Sequence, residues 1–162
     1  MTARGVAARV GAMTQGAPDI RSISLGASGS KIDVLAGPAE TGGIVSIYRW
    51  HMAPSSTGPS PHFHRTFAET FLIEEGEVEY HDAGVWRSLR RGDLAHAAQG
   101  ATHGLRKVNR QPATILMILT PGVPREEYFA QIAIANRRDV ARLHEIHDNH
   151  FVDDDSRNGK DN

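Results

Sequence analysis

GPSPHFHRTFAETFLIEEGEVEY, residues 58–80, places two histidines one residue apart, a glutamate five residues after the second and a glycine seven residues later. In a β-strand successive side chains alternate faces, so His62 and His64 project together while Phe63 points away. Glu69 follows after room for a short bend, and the next strand carries Glu69, Phe71 and Ile73 on one face. A carboxylate beside two apolar residues on a core-facing side is costly unless a cation pairs with it. The pattern asks for a metal, with Phe71 as an apolar wall of the pocket around it and His62, His64 and Glu69 as ligands.

Outward from this stretch, residues 20–120 are short runs of Val, Ile, Tyr, Phe and Trp broken by Gly, Pro, Asp and Ser, the texture of an all-β sandwich or barrel. Strands are expected at residues 20–25, 31–35, 43–52, 62–64, 69–74, 77–81, 85–89, 94–97, 103–109 and 113–119. Glu75-Gly76 and Asp82-Ala83-Gly84 supply glycines where reversals demand positive φ. After Pro121 and Pro124 the pattern turns helical. Residues 125–138 carry acids first and arginines last, matching the helix macrodipole, and residues 139–150 form a second amphipathic candidate. The expected organisation is a loose leader at 1–19, a β-barrel at 20–121, a helical segment at 122–152 and a polar, disordered tail at 153–162.

Composition narrows the chemistry. With 18 basic and 19 acidic residues dispersed along 162 positions, nothing argues for nucleic acid or an anionic membrane, and small molecules or protein partners remain. No apolar run approaches the roughly 20 residues of a membrane span, and the first residues lack the apolar segment of a secretory signal, so a cytoplasmic location is the expectation. Cysteine is absent, which excludes disulfides, thiol nucleophiles and thiolate metal sites. Any metal must be held by nitrogen and oxygen.

His103 in GDLAHAAQGATHGL, residues 92–105, is the fourth ligand candidate. Three imidazoles and a carboxylate suit one divalent Fe, Mn, Ni, Cu, Co or Zn ion and leave coordination positions open. At this point the chain resembles the cupins, small metal-binding β-barrels. Their first motif aligns on His62, His64, Glu69 and Gly76, and the second on Gly92, Gly100 and His103, with 15 residues between Gly76 and Gly92. Three motif positions depart: Ser56 and Ala98 stand where the family has glycine and proline, and Lys107 where it has asparagine. None of these ligates metal in the family. The resemblance covers about residues 40–120 and implies a jelly-roll β-barrel with C-terminal helices. The segment after Thr120 looks like the single-domain, quercetin-dioxygenase-like members, which implies dioxygenase activity. Pairing through barrel edge strands, known in the family, implies a homodimer.

The functional reading is a metal-dependent dioxygenase acting on an enol, phenol or dicarbonyl, with Glu69 also serving as base. Two alternatives keep the same ligands: an oxygen-independent isomerase, cyclase or decarboxylase working through a metal enolate, and a small-ligand-binding module without turnover. Other histidines are secondary. In SIYRWHMAP, residues 46–54, Ile47, Arg49 and His51 share one face and Tyr48, Trp50 and Met52 the other. If the His51 face lines the barrel, His51 is a pocket base; otherwise it is a solvated strand residue. His96 can point either way. His144, His147 and His150 recur at helical spacing near Asp148, a pattern read as an exposed or dimer-facing helix in preference to a second metal site.

Overall fold

Alternating burial in three strands sets the architecture of the computed structural model, which describes residues 20–152. Every second residue is buried in β3 (Ser46–Met52), in β5 (Ala68–Glu75) and in β10 (Ala113–Thr120). Tyr48, Trp50 and Met52, then Phe71 and Ile73, then Ile115, Met117 and Leu119 thereby face one interior. Each such side chain removed from water stabilises the fold by roughly 1.5–3 kcal/mol relative to leaving it exposed.

The remaining strands are β1 (Arg21–Ser24), β2 (Lys31–Ala36), β4 (His62–Phe63), β6 (Glu77–Asp82), β7 (Val85–Arg90), β8 (Leu94–Ala97), β9 (His103–Lys107) and β11 (His150–Phe151). They form two antiparallel sheets, β1-β2-β3-β10-β5-β8 and β11-β4-β9-β6-β7. From β4 to β6 and again from β8 to β10 the chain alternates between sheets, so consecutive strands face each other across the core. The result is an all-β jelly roll: the spacing of strands and turns predicts the all-β sandwich or barrel, and the resemblance to the cupins implies the jelly roll. Val78, Tyr80 and Leu105 of the second sheet close the interior from the other side. A 3-10 turn at Gly26–Ser28 and three short α-helices, α1 (Pro38–Thr41), α2 (Glu126–Ile132) and α3 (Arg137–Ile146), complete the elements of the described residues, and none is long and apolar enough to cross a membrane.

Two glycines hold the site-bearing segments in place. Gly76 turns β5 into β6 with φ +79°, and a Cβ there would meet Pro112 O at 2.5 Å. Gly58, φ +75°, brings the loop before β4 so close to β9 that a Cβ would lie 2.2 Å from Leu105 O. That approach sets His62 directly opposite His103 in the β4–β9 pair.

The C-terminal segment departs from the sequence expectation. The single helix expected at 125–138 ends at Ile132, because Asn136 starts a new one, its side chain accepting from the backbone N–H groups of Arg138 and Asp139 at 2.9 and 3.2 Å. An asparagine N-cap is a strong local signal, and here it outweighs the charge gradient that favours one long helix. The second helix stops at Ile146 instead of continuing to residue 150. Asp148 adopts φ +56°, and His150–Phe151 return as β11 beside β4. The leader at 1–19 and the tail at 153–162 lie outside the described residues.

Candidate metal centre

His62 and His64 leave β4 and its end on the same side, and β9 delivers His103 beside them. Glu69 comes from the opposite sheet, at the inward-facing start of β5. One ligand atom from each of the four residues lies within 4.8 Å of all the others, and all four residues are buried. Among the described residues no other group of three or more such side chains converges in this way.

The hydrogen bonds behind the rings determine what the rings offer in front. Nδ1 of His62 meets Ser60 O at 2.9 Å, Nδ1 of His64 meets Asp148 O at 2.6 Å, and Nδ1 of His103 meets Ala101 O at 3.0 Å. A carbonyl only accepts, so in each ring Nδ1 carries the hydrogen, and in the neutral ring Nε2 keeps its lone pair. Burial, with His103 close by, lowers the His62 pKa to about 3, so this ring is neutral around pH 7. The Nε2 atoms of His103 and His64 stand 2.9 and 3.4 Å from Glu69 Oε2. Burial by itself raises the Glu69 carboxyl, but wherever the facing nitrogens of His103 and His64 carry a proton they outweigh it and hold the group well below the usual carboxylate range.

Acceptor lone pairs converging on an ionised carboxylate repel unless a cation sits among them or the rings take up extra protons. His64 Nε2 is buried and has no hydrogen-bond partner. The donor set is nitrogen and oxygen only, each imidazole is oriented from behind, and one facing nitrogen is orphaned. These features fit a divalent metal.

A cavity of about 170 Å³ opens in front of the quartet. Phe71 lines it, as the sequence suggests, together with Trp50, Leu105 and Met117, and α2 contributes Tyr128 and Phe129. His51 does not reach it. The face of β3 that enters the barrel is Tyr48–Trp50–Met52, and His51 lies on the outer face, where Nε2 contacts Asp33 Oδ2 at 2.7 Å. His96 is likewise exposed, on the outer face of β8, with its ring 2.8 Å from the Thr70 hydroxyl. The three C-terminal histidines do not share a helix: His147 caps α3, and His150 lies in β11, stacked on Phe63.

Two residues that the sequence reading left unassigned shape this centre. Asp148 holds His64 through its carbonyl, while its carboxylate accepts from the backbone N–H groups of Arg65 and Thr66 and from the Thr66 hydroxyl. Its hydrogen bonds depress its own carboxyl to about 2 in spite of burial. Arg125, only 4% exposed, lines the cavity at the N-terminus of α2. The available signal was a cation at the end of a helix where the dipole favours anions.

The comparisons with known proteins agree with this fold. The family model described as "Cupin domain" matches residues 48–119. An RmlC-like cupin from Shewanella frigidimarina superposes with TM-score 0.58 at 18% identity, covering 72% of this chain and 95% of that one. A predicted oxalate decarboxylase from Thermotoga maritima gives 0.55 at 19%, covering 67% and 99%, and KdgF from Halomonas sp. gives 0.55 at 16%, covering 64% and 89%. At these identities the likeness speaks to fold alone. No curated protein matches the chain. With a jelly roll and the two-motif histidine–glutamate cluster between its sheets, residues 48–119 of this chain form a cupin domain.

Proposed function

We propose that this cupin is a mononuclear metalloenzyme, specifically a dioxygenase, acting on a small enol, phenol or dicarbonyl, with His62, His64, Glu69 and His103 as metal ligands. The observation that carries the reading is the set of three imidazoles, each anchored through Nδ1, with the remaining nitrogens facing one buried carboxylate. A divalent ion held there supplies Lewis acidity towards a substrate oxygen and, for redox-active ions, access to dioxygen chemistry.

The chain's own contribution is geometric and electrostatic. Ser60, Asp148 and Ala101 carbonyls fix the ring planes, so the ligand set needs little reorganisation. Phe71, Trp50 and Met117 exclude water around the bound substrate, which strengthens every charge interaction inside. Glu69, held ionised, accepts a substrate proton at a carboxylate oxygen and returns it to product. Among the described residues β1 is an outer strand of the six-stranded sheet, which supports pairing of two copies through that edge, and a sedimentation mass tests it.

The test is an oxygen electrode run with metal-loaded protein and a panel of enols, phenols and 1,3-dicarbonyls. Oxygen uptake equal to substrate loss is the expected result. Product formed equally without oxygen would transfer the site to a metal-enolate isomerase, cyclase or decarboxylase. Ligand retained unchanged in both atmospheres would make it a binding module.

A further inference from the structure

Arg125 is a buried cation without a buried anion of its own. Its Nη2 donates to Asn149 Oδ1 at 3.0 Å and its Nη1 to the His147 carbonyl, both neutral acceptors. Its guanidinium lies 4.2 Å over the Tyr128 ring and 5.4 Å from that of Phe67, contacts that hold the group in one plane. Nε is buried with no hydrogen-bond partner, and no ion pair forms to it among the described residues. The nearest carboxylates are otherwise engaged. Glu69 faces the histidines, and Asp148 is committed to Arg65, Thr66 and His150. A guanidinium does not escape burial by losing its proton, so this charge persists.

Arg125 lines the same cavity as the quartet. The Glu69 and Arg125 charges cancel, so a divalent ion in the quartet leaves the cavity with two uncompensated positive charges in an apolar shell. Such a site is stabilised by an anionic occupant and destabilised by a neutral one of the same shape. We propose that the cavity takes a small apolar carboxylate, with Arg125 binding the carboxylate while the rest of the molecule lies between the aromatic walls and the metal centre. The inference rests on the reading of the cavity as a metal-containing substrate site. It narrows the substrate class from enols and phenols in general to those bearing an acid group.

The experiment uses the full chain loaded with zinc, which is diamagnetic, and two probes of nearly equal shape, benzoate and benzamide. Zinc content is measured on every sample. Benzoate binds at least tenfold more tightly than benzamide to the wild type, and benzoate alone shifts the Arg125 Nε–Hε resonance. In Arg125→Gln the preference falls to within about twofold while zinc stays bound, and Arg125→Lys retains part of it. Equal binding of the two probes, or no binding of either, with zinc at one per chain would overturn the anion site and leave the metal centre standing. A benzoate preference undiminished in Arg125→Gln would also overturn it, because the metal and not the arginine would then hold the carboxylate. Loss of zinc from the wild type is the separate failure of the metal reading. If Arg125→Gln does not fold, the wild-type resonance decides alone: a static Nε–Hε signal on benzoate addition contradicts the proposal.

Discussion

The two faces of the six-stranded sheet each carry a carboxylate against histidine, and the two clusters solve the same electrostatic problem differently. On the outer face, Asp33 receives the Ser22 hydroxyl at 2.5 Å, the Lys31 ammonium at 3.1 Å and His51 Nε2 at 2.7 Å. It is surrounded by protein donors, and its histidine is a third exposed. On the inner face, Glu69 meets imidazoles whose hydrogens are already committed to carbonyls. The outer cluster is complete as protein. The inner one leaves facing nitrogen lone pairs and a carboxylate without protein donors between them, an arrangement that fits a cation.

The largest effect on stability is expected beneath the inner cluster. Phe67 is 2% exposed and stacks on His64 with ring centres 4.1 Å apart. Phe67→Ala should cost about 3–5 kcal/mol in chemical denaturation, through the cavity it leaves. Next comes the metal. At free metal a hundredfold above Kd, metal should stabilise the wild type by about 2.7 kcal/mol, a rise in Tm of roughly 5–10 °C for a chain of this size. In His103→Ala calorimetry should show that rise lost and metal affinity down by about a hundredfold or more, since removing a ligand exceeds the loss of a supporting group.

Asp148→Ala removes the clamp on Arg65 and Thr66 but keeps the carbonyl that orients His64. Metal affinity should drop by roughly tenfold, at the low end for supporting residues. The smallest effects belong to the outer cluster. The Ser22 hydroxyl, His51 and Lys31 outweigh burial and hold the Asp33 carboxyl at about 2, below its ordinary 3.8. A depressed folded pKa stabilises the protein above the unfolded value, and that contribution disappears as pH falls from about 4 to about 2. Asp33→Asn should therefore flatten the acid limb of the stability–pH curve in that window. His51→Ala should cost less than about 1 kcal/mol and leave metal content unchanged. If it lowered metal content as His103→Ala does, the distinction between the two faces would fail.

What could be read from sequence follows from the range of the interactions. Period-2 alternation is local, so the strands carrying Tyr48, Phe71 and Ile115 were legible, and so was the convergence of His62 with His64. His103 was legible because a glycine turn and a strand place it at a fixed offset. The face of β3 was not: alternation separates Trp50 from His51 but does not say which one enters the barrel, and aromatic bulk decided it. Asp148 reaches His64 across 84 residues, and Arg125 reaches Asn149 across a helix–turn–helix segment. No local pattern encodes such contacts. The break at Asn136 was encoded locally, but the arginines that follow it matched a competing helix-end signal.

The most direct test of the inner cluster is an anomalous-difference map from crystals of the purified protein, collected at the absorption edge of the metal found in it. A single peak roughly 2.0–2.2 Å from the Nε2 atoms of His62, His64 and His103 and from one Glu69 oxygen is the predicted result. No peak there in metal-replete crystals, or a peak held instead by His144, His147 or His150, would contradict the account.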